Sequence, residues 1–247
     1  MLHRLNVEWP SMSIDFVTRS SPFDTAPVAF QKLEKYPVEV LTVQGSCNGT
    51  GKNSLYFTKW SRLHQTKFDD DPDAPENANE EDEDPLLVVQ ELETPYDVNR
   101  IRTLNNSPVV AFWSDTGRGG EVRIVDLSDR LERLHNNIST KKREPCREIV
   151  IPCEAAGYAL AWNHHKVGEL LAGDDRGVVS VFANNENYTH WSTAQKYSYH
   201  QGSVEDIVFS PEQSFVFASC TTLFIQALLT ELSKSLICVL IIQRSRS

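Results

Sequence analysis

The sequence has few of the residues that build extracellular frameworks. Its 247 residues include five cysteines, which are scattered and form no paired pattern. They are Cys47, Cys146, Cys153, Cys220 and Cys238. No secretory signal precedes Trp9. The sequence therefore predicts a reducing, intracellular setting.

Signatures of catalysis and of metal binding are also missing. Residues 45–53 look like a phosphate-binding loop, but Ser46 stands where a glycine is needed and Asn53 where Ser or Thr is needed. We interpret this segment as a hairpin loop. The adjacent His164 and His165 have no further ligand at metal spacing, and no Ser/His/Asp set has a signature spacing. We expect a non-enzymatic protein with no cofactor and no metal.

Excess charge of one sign is absent from the chain except in residues 69–84. This stretch holds ten acidic residues and no basic one. They are Asp69, Asp70, Asp71, Asp73, Glu76, Glu80, Glu81, Asp82, Glu83 and Asp84. Removing these ten from the 34 acidic residues leaves 24, which balances the 24 lysines and arginines, so the net charge of −10 lies in this stretch.

The acidic stretch is predicted to be a disordered insert. It holds two prolines and is followed by Pro85, and alanine is its only apolar residue, so it cannot bury surface. One interpretation is a solvated loop that aids solubility. The other is an electrostatic bait for basic proteins such as histones or ribosomal proteins, acting mainly on the encounter rate.

Short apolar runs separated by turns recur along the rest of the chain. The runs are 38–43 and 55–60, then 98–104, 108–113 and 121–126, then 157–163, 169–173 and 178–182, then 204–209 and 215–218. Trp162 and Phe209 end equivalent runs about 45 residues apart, the period of a propeller blade. No run of ten or more residues before position 220 has a helical period. The pattern predicts an all-β repeat fold.

Three stretches together resemble the glutamate-rich WD-repeat proteins, which are related to histone-binding WD-repeat proteins. They are LNVEWPSMSIDF (5–16), the acidic insert, and GSVEDIVFSPEQSFVFASC (202–220). The resemblance implies a seven-bladed WD40 β-propeller, of which this chain holds about three and a half blades, as a truncated copy. It also implies that residues 1–20 supply a strand that closes the ring on the last blade.

The resemblance further implies structural roles for a few blade residues. Such propellers hold each blade with a His–Ser/Thr–Asp–Trp hydrogen-bond chain. His200 and Ser219 match its first two positions, and Asp175 matches the turn aspartate of the preceding blade. In that blade Phe182 stands where the tryptophan is expected, and Trp162 ends the first strand.

The chain divides into five parts on this interpretation. Residues 1–20 form the N-terminal segment with the closing strand, 36–68 a first blade-like unit, 69–84 the acidic insert, 85–220 the WD-repeat blades with the last incomplete, and 221–247 an aberrant hydrophobic tail. In the tail, leucines at 228, 232, 236 and 240 predict an amphipathic helix. Residues 223–242 have the length of a membrane span but contain Glu231 and Lys234, so no membrane association is expected.

Function at this point rests on the resemblance. It implies a nuclear or nucleolar scaffold that acts as a chaperone or adaptor for basic clients, chiefly a ribosomal protein during large-subunit biogenesis and also histones, with no direct DNA readout. The alternative is a non-functional or interfering truncation product that associates with membranes through its tail. The client and the oligomeric state stay open.

Overall fold

The computed structural model of the chain describes residues 10–17, 38–49, 52–63, 85–138, 146–184, 190–225 and 233–242. These residues form strands and a single short helix, α1 (Ser128–His135). The strands are β1 (Ser11–Phe16), β2 (Val38–Ser46), β3 (Asn53–Leu63), β4 (Leu86–Thr94), β5 (Asp97–Thr103), β6 (Val109–Asp115), β7 (Gly120–Asp126), β8 (Arg147–Cys153), β9 (Gly157–Trp162), β10 (Glu169–Asp174), β11 (Val179–Asn184), β12 (Trp191–Tyr197), β13 (Val204–Phe209), β14 (Val216–Ile225) and β15 (Ser233–Ile242).

The strands form four antiparallel sheets in chain order. Their orders are β1-β2-β3-β4, β5-β6-β7-β8, β9-β10-β11-β12 and β13-β14-β15. The first strands of successive sheets contact one another, so the sheets stand side by side as blades around a common axis. We number these blades one to four and call β1, β5, β9 and β13 the inner strands. The prediction of an all-β, partial WD40 propeller is confirmed.

Apolar side chains fill the spaces between neighbouring blades. One cluster joins blades one and two and includes Leu55, Phe57, Ile101 and Phe112, all at most 1% exposed. A second joins blades two and three, and a third joins blades three and four. Because full burial of such a side chain contributes roughly 1.5–3 kcal/mol, these inter-blade clusters dominate the stability of the fold.

Helix α1 was not predicted, because its eight residues are too short to show a clear helical period. It follows β7 and packs against β3 and β4 of blade one. Leu134 is buried in the first cluster. Lys59 Nζ donates to Asn137 Oδ1 at 3.0 Å and pairs with Glu39 Oε2 at 3.1 Å. The helix thereby ties the second blade to the first.

The acidic insert interrupts the first blade and does not follow it. The predicted unit 36–68 contains β2 and β3, but the same sheet also takes β1 from the N-terminal segment and β4 from beyond the insert. Residues 69–84 themselves lie outside the described residues. The outer strand β4 is half-buried along most of its length, so its hydrophobic pattern is weak.

The N-terminal segment also differs from the expected closing strand. β1 pairs antiparallel with β2, so it is the inner strand of blade one and not the outer strand of a last blade. Ser13 Oγ accepts a hydrogen bond from the Ile101 amide at 3.1 Å, and Asp15 Oδ2 accepts one from the Thr103 amide at 2.8 Å. These bonds hold β1 against the next inner strand. The alternating apolar residues instead lie on the opposite, exposed side, with Met12 at 59% and Phe16 at 62% exposure.

We expect hydrogen exchange to report the contact between β1 and β5. Replacing Asp15 with alanine removes the acceptor of the Thr103 amide, and hydrogen bonds to charged groups contribute ~1.5–3 kcal/mol. The Thr103 amide should then exchange at least about tenfold faster, as measured by NMR. Met12→Ala, on the exposed side of the same strand, is the matched control and should leave Thr103 unchanged. Equal exchange in both variants would contradict the contact.

The prediction of a helical tail is wrong for the described part of residues 221–247. Residues 221–225 continue β14, and β15 pairs with β14 in unbroken register from Val216–Ile242 to Ile225–Ser233. The four-residue leucine spacing indicated a helix, but the segment is also rich in Ile and Val, which favour strands. Since β14 would otherwise expose a row of unpaired backbone groups, pairing with β15 satisfies them.

Candidate functional site

A cleft lies where the four inner strands end. Residues from the later parts of β1, β5, β9 and β13 line a cavity of about 330 Å³. The apolar part of its wall includes Phe16, Trp162, Ile207, Val208 and Phe209. The strands are held in place by the inter-blade clusters, so the wall is built on rigid elements and is contributed by all four blades.

Most polar groups of the cleft already have partners within the protein. Asp15 accepts from Thr103, and Asn105 Nδ2 donates to His164 Nδ1 at 2.8 Å. Trp162 Nε1 donates to the carbonyl of Arg102 at 3.0 Å. The arrangement gives a shaped apolar surface with polar groups at its rim, which suits binding of side chains from another protein.

Asp206 supplies negative charge at the cleft. Its side chain is 56% exposed, and its carboxylate lies 4.0 Å from the guanidinium of Arg100. Arg100 itself is occupied by backbone groups, because Nε donates to the Tyr158 carbonyl at 2.6 Å and Nη2 to the Glu205 carbonyl at 3.0 Å. Burial lowers the pKa of Arg100, as does the neighbouring charge of Arg102. Asp206 is therefore only loosely neutralised and remains open to a cationic group.

His200 and Ser219 lie together in blade four. His200 Nε2 and Ser219 Oγ are 2.7 Å apart, and both residues are buried. His200 Nδ1 is buried and has no hydrogen-bond partner among the described residues. Burial lowers the pKa of this imidazole and so favours its neutral form. The hydrogen bond joins the loop before β13 to β14.

In blade three the turn carboxylate is Asp174 and not Asp175. Asp174 Oδ1 accepts from the amides of Arg176 at 3.0 Å and Val178 at 2.8 Å, whereas Asp175 is exposed. Burial raises the pKa of Asp174. Two consecutive aspartates stand at this turn, and the sequence interpretation matched Asp175 to the turn position. Gly177 completes the turn with a φ of 86°, a conformation that other residues rarely adopt.

Trp162 and Phe182 are buried side by side in the cluster between blades two and three. Trp162 also makes an edge-to-face contact with Trp191, with ring centroids 5.8 Å apart. The sequence reasoning missed Trp113, which is 1% exposed and whose Nε1 donates to the Ala159 carbonyl at 2.8 Å. Trp113 ends an apolar run, but nothing local in the sequence shows that it crosses to the next blade.

The ten acidic residues of the insert lie outside the described residues, and the described residues nearest to them along the chain are Leu63 and Pro85. Leu63 ends β3 opposite the start of β2, and Pro85 precedes β4. Both lie at the end of blade one where Phe16 ends β1. The described chain therefore leaves β3 and re-enters β4 at the end of blade one that lies nearest the cleft.

Comparison with known proteins agrees with this architecture. The chain is 32% identical over 236 residues to the glutamate-rich WD repeat-containing protein 1 of Dictyostelium discoideum, and the match covers 90% of this chain and 46% of that protein. The chain is therefore similar to WD-repeat proteins. The resemblance to the glutamate-rich WD-repeat proteins is confirmed. The chain spans about half the length of the curated relatives it matches.

Two further relatives are informative. The WD-repeat chain is 29% identical over 229 residues to the ribosome assembly protein rrb1 of Schizosaccharomyces pombe, covering 90% of this chain and 45% of that protein. It is 22% identical over 212 residues to the histone acetyltransferase type B subunit 2 of Debaryomyces hansenii, covering 85% and 45%. A scan against protein-family models gives no match.

No helix in the described ranges is long and apolar enough to cross a membrane. Within the same ranges, no three or more His, Cys, Asp or Glu residues are grouped so that they could hold a metal ion.

Proposed function

We propose that this WD-repeat chain is a non-enzymatic scaffold that captures a basic protein client, acting as a chaperone or adaptor in large-subunit ribosome biogenesis. The similarity to a relative named as a ribosome assembly protein supports this role. The nucleus and nucleolus are the corresponding compartments. A histone is the second client class, and the similarity to a histone acetyltransferase subunit supports it.

The observation that carries the proposal is that the chain leaves β3 and re-enters β4, on either side of the acidic insert, at the end of blade one nearest the cleft. The insert contributes ten carboxylates and has no lysine or arginine within residues 69–84. The cleft contributes an apolar wall and the exposed Asp206. A basic client would meet the charge of the insert first and then place a side chain in the cleft.

The two parts are expected to contribute differently to binding. A concentrated negative field increases the rate of encounter with a cationic protein, and salt screens it over about 8–10 Å. Buried apolar contacts in the cleft depend much less on salt and mainly slow dissociation. Salt dependence therefore separates the contribution of the insert from that of the cleft.

We expect deletion of residues 69–84 to weaken capture of a basic protein strongly at 50 mM salt and little at 300 mM salt. Binding of a purified histone H3–H4 complex and of a basic ribosomal protein can be measured by biolayer interferometry at both salt concentrations. The far-UV circular dichroism spectrum and the thermal transition should stay nearly unchanged, since the insert holds no core residue. The loss should appear mainly in the association rate.

Two matched variants sharpen this test. Changing the ten acids to Asn and Gln keeps the length of the insert and should reproduce the effect of the deletion. Val208→Lys places a positive charge in the cleft at a side chain that is 59% exposed, and should increase the dissociation rate at both salt concentrations. Poly-L-lysine is the control for charge alone, and its binding should be the same with and without Val208→Lys. Client binding that is the same with and without the insert would contradict the bait hypothesis.

A further inference from the structure

Two cysteines occupy opposite positions in the β14–β15 ladder. Cys220 is the register partner of Cys238, within ten consecutive pairs without a bulge. Opposite residues of an antiparallel ladder have Cα atoms about 4.5–5.5 Å apart, and a disulfide spans Cα separations of about 4.4–6.8 Å. A bridge between these two positions therefore requires no rearrangement of the backbone.

The surroundings of Cys220 differ from those of a buried structural cysteine. Its side chain is half-buried, and its register partner on the other side is Asp206 of β13. The guanidinium of Arg100 is close enough to interact electrostatically with both Cys220 and Asp206. The thiolate is the reactive form of cysteine, and Cys220 is accessible enough to meet a small oxidant.

Other cysteines of the chain provide internal controls. Burial raises the pKa of Cys153 to about 11, so this thiol is almost fully protonated at neutral pH. Burial and the charge of Asp97 raise the pKa of Cys47. No cysteine stands opposite either of them in its strand pairing: Cys153 pairs with Gly120, and Cys47 lies after the end of β2.

We propose that Cys220 and Cys238 form a reversible intramolecular disulfide that latches β15 onto β14 when the chain meets a disulfide oxidant such as glutathione disulfide. The Cys220 thiolate attacks one sulfur of the oxidant, forms a mixed disulfide and releases one glutathione thiolate. The Cys238 thiolate then attacks the Cys220 sulfur and releases the second. Two protein thiols are oxidised, one glutathione disulfide is reduced, and the two thiol protons pass through solvent to the released glutathione.

The bridge would convert a backbone-paired edge strand into a covalently fixed one. β15 is the last strand of its sheet, and such strands are the elements that open first and pair with other chains. Closing the loop between residues 220 and 238 restricts the unfolded chain, so the oxidised form should melt about 5 °C higher than the reduced form.

The test uses the full chain equilibrated in glutathione buffers of increasing oxidised fraction, then quenched in acid, alkylated and digested. Peptide mass spectrometry should show one linked peptide pair joining Cys220 to Cys238, with Cys47, Cys146 and Cys153 alkylated. The rise in melting temperature should reverse with dithiothreitol. Both effects should be lost in Cys238→Ser. They should not return when that change is combined with Val239→Cys, because position 239 is in register with Ser219.

Disulfide mapping of the chain without substitutions tests the proposal even if a variant does not fold. Three results would overturn the proposal: no linked pair under the most oxidising buffer, a link from Cys220 to Cys153 or to a second copy of the chain, or Cys220 held only as a mixed disulfide with glutathione. Oxidation without any change in melting temperature would also overturn it, since the latch would then stabilise nothing.

Discussion

Replacing Trp113 with alanine is expected to destabilise the fold by about 4 kcal/mol, since Phe or Trp to Ala changes in cores cost ~3–5 kcal/mol. Trp113 is 1% exposed and belongs to the cluster between blades two and three. Its ring packs tightly against two glycines, because a Cβ added at Gly120 or Gly157 would come within 2.9 and 2.5 Å of it. Those neighbours have no side chains that could refill the space. Urea denaturation followed by far-UV circular dichroism measures the loss.

Two further substitutions separate the causes of that loss. Trp113→Phe keeps most of the apolar ring but leaves the Ala159 carbonyl without its donor, which should cost about 1–3 kcal/mol. Val167→Ala, at a side chain that is 62% exposed, should change stability by less than about 0.5 kcal/mol. A loss below about 1 kcal/mol in Trp113→Ala would mean that blades two and three do not pack as described.

Replacing Arg100 with alanine is expected to cost about 3 kcal/mol, because each hydrogen bond to a charged group contributes ~1.5–3 kcal/mol. Arg100 lies on β5 of blade two, and its guanidinium donates to the Tyr158 carbonyl of blade three and the Glu205 carbonyl of blade four. One side chain therefore connects three blades. Its removal takes the guanidinium donor away from both carbonyls, and urea denaturation measures the change in the free energy of unfolding.

The neighbouring Arg102 is the matched control for Arg100. It lies two residues away on the same strand, and its Nη1 donates only to the carbonyl of the adjacent Ile101. Arg102→Ala should therefore cost less than about 1 kcal/mol. Arg100→Lys should recover only part of the loss, because one ammonium group cannot reproduce the planar fork that reaches two carbonyls. Equal losses at positions 100 and 102 would contradict the role of Arg100 between blades.

The sequence predicted the first two strands of blades two and three better than the outer strands. β5, β6, β9 and β10 are largely buried, so their apolar runs stand out. The outer strand β12 is exposed at five consecutive positions, so its sequence resembles that of a loop. An outer strand is fixed by the backbone donors and acceptors of its neighbour, and this pairing leaves little trace in the side-chain pattern.

In the tail and in the N-terminal segment, the periodicity of the sequence also failed to predict the structure fully. The leucine spacing of the tail fits a helix, but pairing with β14 decides in favour of β15. Met12, Ile14 and Phe16 alternate as the residues of a half-buried strand do, yet Ser13 and Asp15 are the ones that face β5. Periodicity predicts that a strand forms, whereas its partner and its buried side depend on residues distant in the chain.

The sequence alone determined the all-β repeat, the WD-repeat resemblance and the concentration of charge in residues 69–84, because these depend on local composition and on a period of fixed length. Only the tertiary structure decided that the acidic insert interrupts blade one, that Asp174 forms the turn, and that Cys220 stands opposite Cys238. The cleft could not be predicted from the sequence, because its lining residues come from four blades. They include Phe16, Thr103, Trp162 and Phe209. Such contacts are set by strand pairing and inter-blade packing, which join residues that have no spacing in common along the chain.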